Sequence, residues 1–392
     1  MPHYTYLIIG SGMTADSAVK GIRQVDPNGS IGMMSTSPYP PYNAPPLSKG
    51  LWKKLAFERI WRKTENLTVE FHLNCTATLL DIQNKQITDD QGTTFTFDKL
   101  LLATGGSPRQ LPFGKDEIIY FRTLDDYKRL RSLTDTHQKF AVMGGGFIGS
   151  EVATVLSLHQ KQVVMLFPEA GIGWRAFPPD LSEFLNNYYR QKGVEILAGE
   201  MVAGLEKQGD TITLKTQSGK TIQADGVVAG LGILPGAELA KTAGLTVENG
   251  IVVDELLRTS HPEIYAAGDV ANFYSPALGK RIRVEHEDNA NTMGSIAGQN
   301  MAGSTLPYHH IPYFYSDYFD LIYQGVGELD SRLEMVVDWQ EPYRKGVIYY
   351  LDKGRVRGVL LWNILRQIDE GRRLIADPGP FKPEDLKGKI PK

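Results

Sequence analysis

The sequence predicts an α/β protein in which two Rossmann-like dinucleotide-binding domains, one inserted in the other, precede a C-terminal α+β domain. Three observations carry that expectation. A strand that breaks into a glycine turn and opens a helix occurs twice, at residues 6–15 (YLIIGSGMTA) and at residues 139–151 (KFAVMGGGFIGSE). Each copy is answered downstream by an apolar strand that stops at glycine, at residues 99–106 and 224–235. From Tyr313 onward the texture changes to short aromatic strands.

The first copy reads as a strand around Leu7, a turn at Gly10 and Gly12, and a helix near residues 15–25. Glycine at such a turn lets backbone approach a pyrophosphate, and the helix N-terminus offers free N–H groups and the positive end of a dipole. Gly10, Gly12, Met13, Thr14 and Ala15 are therefore candidate ligand contacts, together with Ala103, Thr104 and Gly105, where the neighbouring strand ends. One such motif often marks only a tight turn, whereas two argue for two nucleotide sites.

In the second copy, strand 140–143, helix 148–158 and strand 163–167 form a right-handed βαβ unit. Its candidate contacts are Gly144, Gly146, Phe147, Ile148 and Gly149, with Gly232 in the closing turn. A later strand at 264–267 ends in Gly268-Asp269, and a helix over 288–301 comes next. Both are assigned back to the first domain. The expected boundaries are thus 1–111 with 236–311, then 112–235, then 312–392, the last with strands at 322–325, 333–337, 346–351 and 356–361 and a helix near Ile364.

With 392 residues, 42% hydrophobic content and net charge −3, the chain has ample core and no electrostatic footprint for nucleic acid. The basic cluster Lys53, Lys54, Arg59, Arg62 and Lys63 is interrupted by apolar residues and reads as a solvated helix face. No apolar run reaches the length of a membrane span, and the first strand starts almost at once after Met1, so a cytoplasmic protein is expected. The single cysteine, Cys75, excludes an intrachain disulfide and reads as buried and structural. His309-His310 lacks metal-site spacing, and the Pro- and Lys-rich tail from Pro378 is expected to lie along the surface or fray.

The landmarks GxGxxA, Ala-Thr-Gly, GGGFIGSE and Ala-Gly-Asp, in this order, resemble the two-dinucleotide-binding-domain flavoproteins. Within them the chain is similar to the ferredoxin reductase and apoptosis-inducing factor branch, through Pro45-Pro-Leu-Ser-Lys49, Leu166-Phe-Pro-Glu169, Val284-Glu-His286, Lys345-Gly-Val-Ile-Tyr-Tyr and Leu361-Trp-Asn363. That resemblance implies FAD in the first site and NAD(P)H in the second. It also implies that Lys49 sits beside the reactive edge of the flavin, held by Glu151, and that Asp269 accepts a hydrogen bond from the ribityl chain. For Asp269 the plainer alternative is a cap on a following helix.

Glu169 stands about 20 residues past the second glycine turn, where an acid holds ribose hydroxyls and repels a 2′-phosphate. NADH is therefore expected in preference to NADPH, although Arg175 is close enough to blur the choice; a solvent-facing loop glutamate is the alternative. Phe147 suits a ring lying over the flavin and core packing equally well. Gly232 is expected at the nicotinamide with Glu285 and His286 opposite, His286 as a positioning group because hydride transfer needs no base.

Departures from the pattern matter. Thr36 stands where an acid usually ends the second strand, and Ala44 replaces an arginine before Pro-Pro-Leu-Ser-Lys. Each lost charged hydrogen bond is worth roughly 1.5–3 kcal/mol, so looser FAD binding is expected. In the branch the chain resembles a tryptophan is common near the flavin, and Tyr315 occupies its place. The short stretch between Val337 and Gly346 has no room for a long regulatory insertion, and the chain has neither a mitochondrial address nor a basic surface, so a cell-death or DNA-binding role finds no support.

No cysteine lies in residues 37–48, where disulfide reductases carry theirs, so electrons must leave the flavin directly. The leading expectation is an FAD-dependent NADH oxidoreductase serving a small iron–sulfur protein such as ferredoxin or rubredoxin, or a quinone. The alternative is a slowly turning-over, NADH-responsive interaction protein that senses redox state. Monomer and homodimer are both open.

Overall fold

The computed structural model describes residues 1–391. The chain forms two compact units: residues 1–44, 56–107 and 234–312 make the first, and residues 45–55, 108–233 and 313–391 the second. Helices are numbered along the chain: α1 (Met13–Val25), α2 (Leu124–Thr136), α3 (Phe147–Leu158), α4 (Pro179–Gln191), α5 (Glu238–Thr242), α6 (Glu287–Met301), α7 (Ile368–Ala376) and α8 (Pro383–Leu386). None of them is long and apolar enough to cross a membrane.

The first unit is built on a seven-stranded sheet. Glu70–Leu73, Ile31–Ser35, His3–Ile9 and Thr94–Leu102 run parallel in that order, and Ile264–Ala266 adds to the last of them, also parallel. Parallel strands bury both faces, which is why Leu7, Ile8, Leu100, Leu101 and Leu102 form an uninterrupted apolar set with no measurable exposure. α1 and α6 pack against each other so closely that a Cβ on Gly298 would lie 2.0 Å from the carbonyl oxygen of Ala18.

Cys75 is 6% exposed and donates to Asp89 at 3.3 Å. Burial, reinforced by Asp89, pushes its thiol up to about 12. At pH 8 roughly one thiol in ten thousand is then ionised. Iodoacetamide is expected to leave Cys75 unlabelled in the native protein and to label it fully after denaturation, as read by intact-mass spectrometry.

In the second unit a five-stranded parallel sheet orders Val194–Ala198, Gln162–Phe167, Lys139–Met143, Gly226–Ala229 and Ile118–Tyr120. A three-stranded meander, Val202–Gln208, Thr211–Thr216 and Thr221–Ala224, shares its core. The C-terminal strands form a five-stranded antiparallel sheet, ordered Tyr313–Tyr318, Leu321–Gly327, Arg355–Trp362, Lys345–Asp352 and Glu334–Glu341.

Two expectations need correction and a third is narrowed. The helix placed near Ile364 begins at Ile368, because Asn363 and Arg366 take φ of 50° and 64° and the Asn363 side chain is spent on Ile322 N–H and the Arg344 carbonyl. The tail lies along the surface, most of it exposed, but does not fray: Leu386 and Ile390 are buried, and Ile390 N–H donates to the Tyr349 hydroxyl. The basic cluster is no helix face, since Lys54 and Lys63 have positive φ and Arg62 is turned inward.

Candidate functional site

The two glycine turns repeat one geometry. Gly10 sits at φ +121°, and a Cβ there would lie 2.2 Å from the Ala103 carbonyl oxygen; Gly144, at φ +109°, stands in the same relation to Gly230 at 2.4 Å. Any side chain would force the parallel strands apart, so glycine is required at both. Gly12 and Gly146, the N-caps of α1 and α3, instead face open space, with nothing within 4 Å of an added Cβ. Neither helix has a side-chain cap, which leaves first-turn N–H groups for an anion. A pyrophosphate fits both cradles.

Around the first cradle, Thr14 packs on Gly268, whose N–H points at the Met293 sulfur at 3.2 Å. These contacts bring Met13, Ala15, Asp269 and the middle of α6 into one neighbourhood. Gly268 opens a single 3-10 turn that leads straight into a strand, so Asp269 has no α-helix to cap. Thr104 donates to the Gly236 carbonyl at 2.7 Å, while Gly105 accepts from Gly236 N–H. Thr36 is exposed directly after Ile31–Ser35. Glu285 pairs with Arg283 at 2.7 Å, and Arg283 also holds the Asp269 carbonyl at 3.0 Å.

His286 is the N-cap of α6. Burial pulls its imidazole down from 6.5 to about 4, against the opposing pull of Asp269 and Asp288. A histidine with a lowered folded value is protonated first in the unfolded chain, so stability is complete above pH 6.5 and is lost as the pH falls from 6.5 to 4. That loss amounts to about 3 kcal/mol. Chemical denaturation at pH 7.5 and 4.5 is expected to show it in the wild type, with a smaller difference in His286→Gln.

The sequence reading missed a buried cluster beneath α1. Asp16, with no exposure, accepts from Arg62 Nε at 2.5 Å, Lys20 at 2.8 Å and Thr64 at 2.6 Å. Arg62 also reaches Asn43 at 2.8 Å and Asn291 at 2.9 Å. An unneutralised acid in the first turn of α1 would repel a pyrophosphate; two cations offset it. The available signal was an acid set among small residues directly after a glycine turn.

In the second unit, Gly144 N–H bonds to Leu166, and Gly145 accepts from Gly173 N–H at 2.9 Å. That second bond ties the loop bearing Arg175 to the glycine turn. Arg175 donates through Nε and Nη2 to one oxygen of Glu169, at 3.1 and 2.8 Å. Its side chain is 85% exposed, whereas that of Glu169 is 24% exposed. A cleft of about 60 Å³ opens at the glycine turn, lined by Met143, Gly144, Phe167, Pro168, Met201 and Leu231. Gly232 accepts from Arg109 N–H at 2.9 Å.

Lys49 belongs to this second unit, although it is distant in sequence from the rest of it. Its Nζ lies 2.5 Å from Oε1 of Glu151, a carboxylate 3% exposed in the second turn of α3. Ser48 donates to Oε2 at 2.5 Å and Ser316 to Oε1. Lys49 Nζ also stands 5.4 Å from the centre of the Tyr315 ring, which is 38% exposed. Phe147 packs on Phe314 at 4.9 Å and Tyr323 at 6.2 Å and is half-buried, while Ile148 is exposed and Gly149 buried. Thus a buried ion pair, satisfied by two hydroxyls, fixes one ammonium group. Ser316 carried no sequence signal.

The family model described as pyridine nucleotide-disulphide oxidoreductase matches residues 4–294, and that described as apoptosis-inducing factor, mitochondrion-associated, C-term matches residues 336–377. Apoptosis-inducing factor 1, mitochondrial, of Dictyostelium discoideum is 32% identical, with 95% of this chain and 78% of the relative covered. The ferredoxin reductase subunit of 5,5′-dehydrodivanillate O-demethylase from Sphingobium sp. is 33% identical, covering 96% of this chain and 94% of that one. Among solved structures, the covalent putidaredoxin reductase–putidaredoxin complex matches with a TM-score of 0.91 at 29% identity, covering 98% of this chain and 96% of the other.

Proposed function

This chain belongs to the pyridine nucleotide-disulphide oxidoreductase family, an FAD- and NAD(P)H-dependent family, and on that premise we propose that it oxidises NADH and passes the electrons singly to a small iron–sulfur protein. The observation that carries this reading is the pair of open glycine cradles in a chain whose one cysteine is buried and un-ionised. No dithiol can relay the electrons. FAD, when bound, supplies the chemistry that accepts a hydride and releases electrons one at a time.

The residues divide the work. Gly10, Gly12, Met13, Thr14 and Ala15 would hold the FAD pyrophosphate at α1, with Thr36 toward the adenosine, Ala103, Thr104 and Gly105 along the sheet edge, and Gly268, Asp269, Glu285 and His286 toward the other end. Gly144, Gly146, Phe147, Ile148 and Gly149 would seat NADH at α3, Glu169 would take its ribose hydroxyls, and Gly232 would line the nicotinamide. Lys49 would supply a positive charge that favours arrival of a hydride, Glu151 would orient it, and Tyr315, whose ring stands beside the ammonium, would face the flavin. The relatives that serve iron–sulfur proteins support the choice of partner.

Anaerobic stopped-flow mixing of the FAD-loaded protein with NADH and NADPH tests the proposal. Rapid bleaching by NADH, succeeded by multiple turnovers with a ferredoxin, is expected. No bleaching by either nucleotide would sink it. Slow bleaching, with a changed hydrodynamic size and no turnover, would point to a redox-sensing interaction protein, a reading favoured by the C-terminal match to apoptosis-inducing factor.

A further inference from the structure

We infer that Trp52 and His159 form an anchor that positions Lys49, making them positioning residues for hydride transfer. Their role rests on the one proposed for Lys49. The lysine sits in a short stretch of 3-10 turns, Pro45–Ser48 and Gly50–Trp52, which have little intrinsic rigidity. Something must hold the stretch from the far side.

Trp52 does so at several points. It is 6% exposed, its indole N–H donates to the Leu47 carbonyl at 2.7 Å, and its backbone N–H donates to the Lys49 carbonyl at 3.1 Å. These two bonds bracket Lys49 from either side. The ring stands edge-on to Tyr127 of α2 at 5.6 Å, with the Arg131 guanidinium 5.3 Å away over its face. On the other side, His159 Nε2 lies 3.0 Å from the Trp52 carbonyl oxygen, and the two rings meet edge-on at 5.3 Å.

His159 is the C-cap of α3, the helix that carries Glu151 in its second turn. One helix therefore grips the stretch twice: at Glu151, through Ser48 and Lys49, and at His159, through Trp52. The two grips are about eight residues apart, or about 12 Å of helix. The N-terminus of the same helix is the cradle proposed for NADH. Freedom of the ammonium to drift by an ångström is thus removed by the element that would seat the reductant, and misplacements of that size cost orders of magnitude in rate. Lys53, paired with Asp317, adds a third attachment.

His159→Ala removes the donor to Trp52, and His159→Gln retains a side-chain N–H that can replace it. Two measurements on the FAD-loaded protein decide the matter: hydrogen exchange of peptides covering residues 45–55, and the limiting rate of flavin reduction by NADH. His159→Ala is expected to raise exchange in that peptide roughly tenfold. It should also slow reduction roughly tenfold at an unchanged half-saturating NADH concentration. His159→Gln is expected to restore both. Unchanged exchange in His159→Ala overturns the anchor, and raised exchange with an unchanged rate overturns its role in positioning. A wild type that NADH does not reduce would overturn the functional reading, while the exchange data still judge the anchor.

Discussion

Replacing Lys49 with alanine is expected to slow reduction of the flavin by NADH at least tenfold, equivalent to about 1.4 kcal/mol of barrier. The reason lies in the surroundings of the ammonium group. Only 15% of its side chain is exposed, and its partner Glu151 is 3% exposed. Few waters can replace a charge lost from such a place. The Ala variant also strands a buried carboxylate that keeps only the Ser48 and Ser316 hydroxyls, so thermal stability should fall as well. Lys49→Arg is the discriminating control, since it keeps the charge but not the point geometry. It is expected to retain stability and to recover only part of the rate. Stopped-flow absorbance gives the rate and thermal denaturation the stability; a Lys49→Ala rate equal to the wild type would end the assignment.

Glu169→Ala is expected to reverse the choice of nucleotide. In the wild type one oxygen of Glu169 is occupied by Arg175, and on the proposed reading the rest of the carboxylate would take the ribose hydroxyls. Removing it discards hydrogen bonds to NADH, removes a repulsion against a 2′-phosphate, and frees a guanidinium that is already 85% exposed. The loss for NADH and the gain for NADPH are each worth roughly 1.4 kcal/mol, so the NADPH-to-NADH preference should move by about a hundredfold. The double variant Glu169→Ala/Arg175→Ala should lose the part of the gain for NADPH that the guanidinium supplies, without recovering NADH. Steady-state half-saturation values for both nucleotides measure this directly. An unchanged ratio in Glu169→Ala would show that the loop does not read the ribose.

What the sequence alone determined is the part of the protein governed by short-range repetition. Apolar runs of strand length, glycines at fixed spacing after them and helical periodicity beyond are constraints within a dozen residues, and they located both glycine turns, six of the parallel strands and four strands of the C-terminal sheet. The resemblance carried by Pro45-Pro-Leu-Ser-Lys49 and the GGGFIGSE run pointed further, to Lys49 and Glu151, whose side chains meet although a long stretch of chain separates them. Tertiary structure alone decided who satisfies the buried charges. Ser316 reaches Glu151, Arg62 reaches Asp16, and Trp52 finds the end of α3, each through a separation that no local period encodes. The tail, expected to lie along the surface or fray, is held there by Leu386 and Ile390, because burial depends on which surface is opposite. Local backbone preference is written residue by residue, whereas a partner for a buried polar group exists only after distant segments have packed.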